Sequence, residues 1–452
     1  MRFRTLTLGC KVNQFETQAM ESILASRGHL KAGAGEMCDV CIINTCAVTA
    51  ESVRKSRQAV RRMRRLEPDA LIAVCGCYSQ IESPAVEQLG ADLTGGSGDR
   101  QGFVRELEKL FEGADSAAGI DGTTPESGIR AVGPAPRSPV AASDEPAGKA
   151  RFEELPPGGA SGRTRALLKI QDGCDNFCAY CIVPYARGRA RSLQPQRAAD
   201  HARWLEAQGF REIVITGIEI SSYGKDLEGS PLLTDVVREI GAAAPGARLR
   251  LGSLDPGVVT ESFCEKLRPV KNLCGHFHLS LQSGCDETLR RMGRKYDTDT
   301  VSGAITMLRK HFTDCGITAD LITGFPGETG AEFERTLAFI KSAGFSGMHI
   351  FPFSPRPGTQ AAAMQGQISR DVRRERAHIA AAVAGEMATG FRLSQIGKIA
   401  AVLFERRREG FWTGHSGNYI EVTVREGGAR NRVDPVRITS VSDGTVWGEI
   451  LR

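Results

Sequence analysis

The sequence predicts an α/β protein with three parts: an N-terminal open parallel α/β domain, a partial parallel (β/α) barrel, and a small C-terminal antiparallel β-barrel. Three observations support this prediction. Short apolar runs alternate with helical stretches up to about residue 112 and again from about residue 163 to 366, as in parallel sheets covered by helices. A segment rich in Ala, Gly, Pro and Ser separates these regions. Short alternating strands with Gly and Asn turns follow Gly397.

Residues 1–112 form the first predicted domain. Its strands are expected at Thr5–Leu8, Val40–Ile43 and Leu71–Val74, where apolar residues run together. Helical stretches such as Asn13–Arg27 and Ser52–Arg65 lie between them. This alternation predicts a parallel sheet with helices on both faces.

Residues 113–162 are expected to be a flexible linker or a surface insertion. The stretch Ala114–Gly162 contains Pro134-Ala-Pro136 and Pro156-Pro-Gly-Gly159 and has almost no apolar periodicity. Such a composition does not predict a packed core.

Residues 163–394 are the second predicted domain, with six βα units arranged as a partial (β/α) barrel. In such barrels the chemistry lies beyond the C-terminal ends of the strands. The expected strands are Ala166–Gln171, Glu212–Gly217, Arg248–Ser253, His276–Gln282, Ala319–Gly324 and His349–Phe353. The expected helices include Arg197–Gln208, Leu232–Ala243, Thr300–His311 and Ala331–Ala343, and a charged, Ala-rich helical stretch covers Ser369–Gln395.

Residues 395–452 are expected to form a small antiparallel β-barrel or sandwich, a shape common among nucleic-acid-binding modules. Its expected strands are Ala400–Phe404, Tyr419–Val424, Val436–Val441 and Val446–Leu451.

The composition excludes some functional classes and permits others. The chain has 452 residues, of which 41% are hydrophobic and 25% charged, as in ordinary globular proteins. Its 13 cysteines have spacings that suit metal ligation better than a disulfide framework, which predicts a reducing, cytoplasmic location. The apolar runs are too short for a membrane span, so no membrane is expected. A net charge of +5 permits a nucleic-acid partner without requiring one.

The most informative motif contains Cys174, Cys178 and Cys181, which follow the first strand of the second domain with the spacing C-x3-C-x2-C. Three thiolates are one short of the four that usually hold an iron–sulfur cubane, so one iron would accept a ligand that is not protein. The alternatives are a zinc site that lacks one ligand, which is disfavoured because zinc sites usually contain paired C-x2-C units, or three unrelated buried thiols.

A second cysteine set lies in the first domain, where Cys10, Cys46 and Cys77 each follow an expected strand by two or three residues. The ends of neighbouring parallel strands converge on one crevice, so these residues are expected to meet. Cys75 competes with Cys77 as the third ligand, and Cys77 is preferred because Cys75 should still lie on the strand. Unrelated buried cysteines are the alternative.

Several motifs together resemble the methylthiotransferases of the radical S-adenosylmethionine (SAM) superfamily, and the resemblance covers nearly the whole chain. The matching pieces are Leu8-Gly-Cys-Lys-Val-Asn-Gln-Phe-Glu16, Asn44-Thr-Cys-Ala-Val48, Gly76-Cys-Tyr-Ser-Gln80, the segment Cys174–Ser192, His278-Leu-Ser-Leu-Gln-Ser-Gly284 and Asp320-Leu-Ile-Thr-Gly-Phe-Pro-Gly-Glu328. The opening Gly9–Thr17 is most similar to the bacterial threonylcarbamoyladenosine branch.

The resemblance implies an auxiliary [4Fe–4S] cluster on Cys10, Cys46 and Cys77, a catalytic [4Fe–4S] cluster on Cys174, Cys178 and Cys181, and a C-terminal TRAM domain. It implies two SAM molecules per turnover, one giving a 5′-deoxyadenosyl radical and one a methyl group. The implied product is the 2-methylthio derivative of N6-threonylcarbamoyladenosine at tRNA position 37.

The implied partners are ANN-decoding tRNA and an electron donor such as flavodoxin or ferredoxin, and the protein is expected to be a monomer. The alternative substrates within the family are isopentenyladenosine in tRNA and an aspartate of a ribosomal protein. Two rival functions remain open: a radical SAM methyltransferase or sulfur-inserting synthase that acts on protein, and a non-catalytic iron–sulfur RNA-binding module.

Candidate SAM contacts lie at the cysteine loop and at the strand ends of the second domain. These positions are Tyr180, Gly217, Glu219, Gln282, Ile322 and Gly324. The alternative is that they are ordinary loop and strand-end residues.

Candidate RNA contacts form three basic groups, which could bind tRNA phosphates. The first is on the Ser52–Arg65 helix, where Arg54, Arg57, Arg61 and Arg65 could equally be an ordinary solvated face. The second is Arg187, Arg189 and Arg191, after the cysteine loop. The third is in the C-terminal barrel, with Arg406 and Arg407 for the backbone and Tyr419 for stacking.

Overall fold

A computed structural model of the chain describes residues 1–117, 140–141, 151–158 and 163–451. These residues fall into two compact units. The first unit contains the described residues within Met1–Gly159 together with Gly173–Asp175 and Ile182–Arg189. The second unit contains the described residues within Ala160–Asp172, Asn176–Cys181 and Ala190–Arg452. Most of the expected linker, Ala114–Gly162, lies outside the described residues.

The first unit is an open parallel α/β sheet, as predicted. Its strands are hydrogen-bonded in parallel in the order β2-β1-β3-β4-β5-β6. The elements in chain order are β1 (Arg2–Thr7), α1 (Lys11–Ser26), β2 (Leu30–Lys31), β3 (Val40–Thr45), α2 (Ala50–Leu66), β4 (Leu71–Gly76), α3 (Cys77–Ile81), α4 (Ser83–Glu87), β5 (Leu93–Thr94), α5 (Arg100–Ala117) and β6 (Val140–Ala141).

The central strands of the first unit end in polar and small residues that pair in register. Every residue of β3 and β4 is buried, as expected for parallel strands covered on both faces. Asn44 pairs with Cys75 and Thr45 with Gly76, so both strands extend two residues beyond their predicted ends. The helix α2 packs Val53, Val60 and Met63 into the same core. This packing places the strand ends, and the cysteines that follow them, on a rigid base.

Residues 151–158 of the expected linker pack within the first unit. Leu155 is buried, and the carboxylate of Glu153 accepts a hydrogen bond from the Gln101 backbone N–H at 3.1 Å. The carbonyl of Glu154 accepts a second bond from Nε2 of Gln101 at 3.2 Å. This part of the segment therefore belongs to the first unit, which the Pro- and Gly-rich composition does not indicate.

The remaining elements follow in chain order. Apart from α6, which belongs to the first unit, they lie in the second unit. They are β7 (Arg165–Lys169), β8 (Gln171–Asp172), α6 (Val183–Arg187), β9 (Arg191–Ser192), α7 (Pro195–Ala207), β10 (Glu212–Thr216), α8 (Leu233–Ala243), β11 (Arg248–Leu251), β12 (Ser253–Leu254), α9 (Glu261–Leu267), β13 (His276–Gln282), α10 (Asp286–Arg291), α11 (Thr298–His311), β14 (Gly316–Thr323), α12 (Gly330–Ala343), β15 (Gly347–Pro352), α13 (Gln360–Ala363), α14 (Arg370–Leu393), β16 (Ile399–Arg408), β17 (Phe411–Ser416), β18 (Glu421–Val424), β19 (Val433–Ser442) and β20 (Thr445–Ile450).

The predicted strands of the partial barrel form two parallel sheets, with the orders β11-β10-β7 and β12-β13-β14-β15. The expected strand Arg248–Ser253 is divided at Gly252 into β11, which pairs with β10, and β12, which pairs with β13. This division separates one expected sheet into two. Among the helices of the described residues, none is long and apolar enough to span a membrane.

The C-terminal strands close into a small barrel with the order β16-β17-β18-β20-β19. Most pairs are antiparallel, as predicted, although β18 and β20 pair in parallel. The strand β17 was not predicted because Gly414 makes its sequence resemble a turn. In the structure a side chain at Gly414 would lie 2.1 Å from the carbonyl oxygen of Leu403, so glycine is required for close approach of β16.

Candidate functional site

The first cysteine set, Cys10, Cys46 and Cys77, lies at the carboxyl ends of neighbouring strands. Cys10 directly precedes α1, Cys46 follows β3, and Cys77 is the first residue of α3. Gly9 has a φ of +102° and approaches Cys46 so closely that an added Cβ would lie 2.8 Å from the Cβ of Cys46. Glycine is therefore needed where the two cysteine loops meet.

The three thiols share one electrostatic environment. Burial raises the pKa of Cys77 to about 12, while the nearby guanidinium of Arg187 lowers it and the thiols of Cys10 and Cys46 raise it. The guanidinium of Arg187 and the thiols of Cys10 and Cys46 thus all lie close enough to Cys77 to influence its charge.

Cys75 lies within β4, where it is completely buried and pairs in register with Asn44. Burial raises the pKa of its thiol to about 11. The expected strand position of Cys75 is therefore observed, and the role of Cys77 as the third ligand stays a prediction.

A buried polar network connects α1, which follows Cys10, with α6, which follows Cys181. Arg187 donates from Nη1 to Oε1 of Glu16 at 2.8 Å and from Nη2 to Oδ1 of Asn13 at 2.6 Å. Nδ2 of Asn13 donates to the carbonyls of Leu8 and Thr45 at 2.8 and 2.9 Å, which holds the loops around Cys10 and Cys46. All of these residues lie in the first unit.

The structure corrects the expectation that Arg187 and Arg191 contact RNA. Arg187 has 0% side-chain exposure and is ion-paired with Glu16, and Arg191 is buried and paired with Asp172 at 3.2 Å. Neither guanidinium is accessible to a phosphate in this structure. Arg189 is 67% exposed and 3.3 Å from Asp175, so its RNA contact stays a prediction.

The second cysteine set occupies the loop between β8 and α6. Within the first unit, the backbone N–H of Cys174 donates to the carbonyl of Gly188 at 3.0 Å. Within the second unit, the N–H of Cys181 donates to the carbonyl of Cys178 at 2.9 Å. Phe177 has a φ of +47°, an unusual value for a bulky residue and a local strain that often marks functional loops.

Charged groups that sequence reasoning missed surround Cys178 in the second unit. Arg294 donates from Nη1 to the sulfur of Cys178 at 3.2 Å and from Nη2 to Oδ2 of Asp255 at 3.1 Å. Tyr296 accepts from Nε of Arg294 at 2.9 Å. This contact places a positive charge directly beside the sulfur of Cys178. The linear sequence gives little signal for this contact, because Arg294 is 116 residues from Cys178.

Two of the expected SAM positions, Tyr180 and Ile322, pack against the same apolar cluster. Its core is Ala179, Met292, Phe325, Phe353 and Ala361. Tyr180 meets Phe325 edge to face at 6.5 Å, and burial raises the pKa of the Tyr180 hydroxyl. The structure therefore brings together two residues that are distant in sequence.

Gly217 and Glu219 lie at the end of β10, next to Gln171. A side chain at Gly217 would lie 2.9 Å from Gln171, and the N–H of Glu219 donates to Oε1 of Gln171 at 2.8 Å. Burial and the nearby Asp255 carboxylate raise the pKa of Glu219. Because Asp255 also pairs with Arg294, these residues connect to the surroundings of Cys178.

Gln282 is the last residue of β13 and Gly324 directly follows β14, and both have left-handed backbone conformations, at φ values of +65° and +71°. Such a conformation costs a non-glycine residue about 1–3 kcal/mol and is often found at functional sites. The N–H of Gly324 donates to Oε2 of Glu328 at 2.7 Å. SAM binding by all six positions stays a prediction.

The predicted basic face of α2 exists as a solvent-exposed surface. Arg61 and Arg65 are exposed, whereas Arg54 pairs with Glu51 at 2.5 Å and Arg57 with Glu82 at 3.0 Å. RNA binding here stays a prediction, and Arg61 and Arg65 are the better candidates because neither has a hydrogen bond or ion pair to another described residue.

Candidate RNA residues of the C-terminal barrel differ in their surroundings. Arg406 pairs with Glu421 at 2.7 Å and Arg407 donates to the Gly410 carbonyl at 3.2 Å, both at the surface. Tyr419 precedes β18 and stacks on His276, with ring centroids 4.6 Å apart. Its ring thus packs against the parallel strands of the same unit, although it remains partly exposed.

Comparison with known proteins gives two family matches. Residues 168–340 match the family described as "Radical SAM superfamily". Residues 2–94 match the one described as "Uncharacterized protein family UPF0004". The two matched regions contain the second and first cysteine sets, respectively.

Several curated relatives are similar over nearly the whole chain. The threonylcarbamoyladenosine tRNA methylthiotransferase MtaB of Bacillus subtilis is 33% identical, covering 93% of this chain and 89% of the relative. The MtaB of Thermotoga maritima is 33% identical, with 97% and 95% coverage. The tRNA-2-methylthio-N(6)-dimethylallyladenosine synthase of Symbiobacterium thermophilum is 31% identical, with 98% and 93% coverage.

Solved structures support the fold. The radical SAM methyltransferase TsrM from Kitasatospora setae, with cobalamin and a [4Fe–4S] cluster bound, matches with a TM-score of 0.56 and 17% identity, covering 80% of this chain and 77% of that one. The full-length similarity agrees with the presence of two cysteine sets and with the parallel sheets that carry them. The chain therefore belongs to the tRNA methylthiotransferase family of radical SAM enzymes.

Proposed function

We propose that the protein converts N6-threonylcarbamoyladenosine at position 37 of ANN-decoding tRNA to its 2-methylthio derivative. The observation that carries this proposal is the similarity to relatives named threonylcarbamoyladenosine tRNA methylthiotransferase, at 33% identity over at least 89% of their length. A relative named for dimethylallyladenosine is nearly as similar, at 31%, so isopentenyladenosine is the second candidate substrate.

The donor sets fit two [4Fe–4S] clusters. Each set offers three cysteines and lacks a fourth, and Arg187 and Arg294 supply positive charge beside the sulfurs. When bound, the clusters and two SAM molecules would supply radical hydrogen abstraction, sulfur and a methyl group. Cys174, Cys178 and Cys181 would hold the first cluster, and Cys10, Cys46 and Cys77 the second. The proposed reaction also requires an external electron donor such as flavodoxin or ferredoxin.

Residues of the second unit would bind and orient SAM. The apolar cluster with Tyr180 and Ile322 excludes water beside the cysteine loop. Gly217 lies so close to Gln171 that a side chain would not fit at this position. Glu219 provides a carboxyl group that can accept a hydrogen bond from an amino group. Gln282 and Gly324, whose φ values are positive, would contribute the strand ends on the same side of the sheet.

The proposed substrate is tested by mass spectrometry of tRNA nucleosides from cells with and without this gene. Deletion should abolish 2-methylthio-threonylcarbamoyladenosine and cause the unthiolated nucleoside to accumulate. Loss of the isopentenyl product alone would overturn the proposed branch. If neither nucleoside changes after redundant genes have been removed, a protein substrate such as the ribosomal aspartate becomes the leading candidate.

The proposed auxiliary cluster is tested by iron analysis of the anaerobically reconstituted protein. Cys77→Ser should lower the iron content by about four atoms, which is one cubane. Cys75→Ser is the matched control, because Cys75 lies within β4, and it should retain the full iron content. Loss of iron in Cys75→Ser alone would show that the ligand has been misassigned.

A further inference from the structure

A polar cluster in the second unit has no role in the steps described so far. It consists of His278 on β13, Asp320 on β14 and His349 on β15. Nε2 of His278 lies 3.1 Å from Oδ2 of Asp320, and Nδ1 of His349 lies 3.3 Å from Oδ1. The other ring nitrogen of His278 lies 2.8 Å from the hydroxyl of Thr318. Two imidazoles therefore converge on a single carboxylate.

The alternation along β13 and β14 shows that this cluster faces the interior of the partial barrel. On β13, Phe277, Leu279 and Leu281 are completely buried, whereas His278 is only partly buried. On β14, Asp320 is likewise only partly buried, and its neighbours Ala319 and Leu321 are buried. In a strand covered by helices, the completely buried set faces the helices, and the alternate set faces the open side.

The strand register arranges these inward residues in layers. Ile322 pairs with Phe351, and Asp320 pairs with His349. Paired residues of neighbouring parallel strands point to the same face, and successive layers are two residues, or about 6.6 Å, apart. The polar cluster thus lies one layer below Ile322, a proposed SAM contact at the strand ends.

The strand β15 presents an exposed aromatic ring above the polar cluster. Phe351 is 47% exposed, which is unusual for a large apolar side chain, and its ring centroid lies 6.4 Å from that of His349. The side chain of His349 is 72% exposed. RNA-binding proteins commonly stack unpaired bases on such aromatic faces.

We propose that Phe351 packs against the target adenine and that the His278–Asp320–His349 cluster binds the polar substituent on its N6 atom. This inference rests on the proposed function and extends it to the residues that select the substrate. A threonylcarbamoyl group carries N–H, hydroxyl and carboxylate groups, and its N–H and hydroxyl donors match the Asp320 carboxylate, which lies beside the exposed ring of His349. The C2 and N6 positions of adenine point in widely different directions, so a base held in this way directs C2 toward the strand ends.

The same cluster would disfavour an isopentenyl group. That group is apolar, and burying it against the cluster would remove water from polar groups without giving them a hydrogen bond in return, a cost that produces discrimination. Although burial by itself would raise the pKa of Asp320, hydrogen bonds from His278 and His349 hold it well below its usual range. Asp320 is therefore an ionised acceptor at neutral pH.

The cluster also has the ligand types of a divalent cation site, since its donor atoms lie within 4.8 Å of one another. The observations favour substrate binding, because both imidazoles are already paired with the carboxylate and an exposed aromatic ring lies in the next layer. A metal ion is nevertheless a distinguishable outcome of the test.

The test measures kcat and KM of the reconstituted holoenzyme on tRNA bearing either threonylcarbamoyladenosine or isopentenyladenosine. His349→Phe and Asp320→Asn should raise the KM for the threonylcarbamoyl substrate about 10- to 100-fold, the effect of losing one charge-assisted hydrogen bond. His349→Phe should also lower the ratio of kcat/KM for the threonylcarbamoyl substrate to kcat/KM for the isopentenyl substrate. The control is His378→Phe, the same change at an exposed position of α14, which should leave KM unchanged. Iron content and cluster absorption confirm that each variant is folded.

The outcomes separate this inference from the proposed function. If the wild type modifies threonylcarbamoyl tRNA but both variants keep its KM and selectivity, the pocket assignment is overturned and the function stands. If the wild type modifies only the isopentenyl substrate, the proposed function itself fails, and the assignment fails with it. A stoichiometric divalent ion beyond the cluster iron, lost in Asp320→Asn, would show that the cluster is a metal site instead.

Discussion

Arg187 illustrates how a single side chain can connect distant motifs. Its guanidinium binds Glu16 and Asn13, and Glu16 is bound in turn by Arg100 at 2.9 Å. These groups are completely or almost completely buried, so each charge depends on its partners for stabilisation. The network holds the residues that follow Cys10 against those that follow Cys181. A motif residue predicted to contact RNA is thus part of the frame around Cys10 and Cys46.

Replacing Arg187 with Ala should lower the free energy of unfolding by about 3 kcal/mol, because removing one partner leaves a buried carboxylate less well compensated. The measurement is urea unfolding of the reconstituted protein. Arg189→Ala is the matched control, since this exposed pair with Asp175 should contribute less than about 1 kcal/mol. Equal losses in both variants would contradict the assigned role of the buried network.

At the scale of elements, α2 combines a structural face with a charged one. Val53, Val60 and Met63 pack into the core, and the Thr49 side chain caps the helix by accepting from the Ser52 N–H at 3.0 Å. The opposite face carries exposed arginines, some of which pair with acidic neighbours. Because the core face fixes the helix, the charged face is a rigid surface to which a polyanion could bind.

The double variant Arg61→Glu and Arg65→Glu should bind tRNA more weakly and with a lower salt dependence. Each lost phosphate contact should lower the slope of log affinity against log salt by roughly 0.9. Binding is measured by titration at several salt concentrations. Arg197→Glu with Arg203→Glu makes the same charge change on α7 and should leave the slope near that of the wild type. An unchanged slope in the α2 variant would exclude this face as a phosphate contact.

At the scale of the whole molecule, the C-terminal barrel is joined to the parallel strands of the second unit by a buried charge cluster. Glu212 accepts hydrogen bonds from Arg248 and Arg250 at 2.6 and 2.8 Å. The same guanidinium groups donate to barrel carbonyls, including those of His415 at 2.7 Å and Ser416 at 3.1 Å. Arg165 on β7 also donates to Oε2 of Glu405 on β16 at 3.1 Å, so the attachment involves backbone carbonyls and two carboxylates.

Glu212 should make the stability of this attachment depend on pH. Burial by itself would raise its pKa, but the guanidinium of Arg250, with those of Arg248 and Arg165, lowers the pKa from 4.5 to about 2. A carboxyl with a lowered folded-state pKa stabilises the fold fully above its unfolded pKa, and this contribution is lost as the pH falls toward the folded value. The stability that Glu212 contributes should therefore begin to fall just above about pH 4.5 and should continue to fall down to about pH 2.

When the pH is lowered from about 6 to about 4, the free energy of unfolding of the wild type should fall by about 1 kcal/mol more than that of Glu212→Gln. Urea unfolding at the two pH values provides the comparison. Glu375→Gln, a change at an exposed residue of α14, should keep the pH dependence of the wild type. If Glu212→Gln retained the wild-type loss, the carboxylate would not be the group responsible.

Local patterns in the sequence determined the fold class and the order of elements. Apolar runs and helical periodicity indicated the buried strands, because a parallel sheet covered by helices leaves a continuous apolar signal. The strand β13, His276–Gln282, has the predicted bounds. The spacing of the motifs indicated the family by resemblance, because closely spaced cysteines can be recognised in the sequence without knowledge of the fold. In contrast, β17 was missed, because the glycine that allows close strand contact looks locally like a turn.

The tertiary structure alone decided which charged residues are accessible and which residues meet. Arg187 and Arg189 stand two positions apart in one basic run, yet one is buried against Glu16 and the other is exposed. Arg294 reaches Cys178, and Asp320 gathers two histidines, across long stretches of sequence. The reason is physical: periodicity reports which face of an element is apolar, but contacts between elements depend on strand register and packing. The sequence by itself thus determined the family and the spacing of the cysteines, and the folded chain decided which polar side chains are exposed and which contact one another.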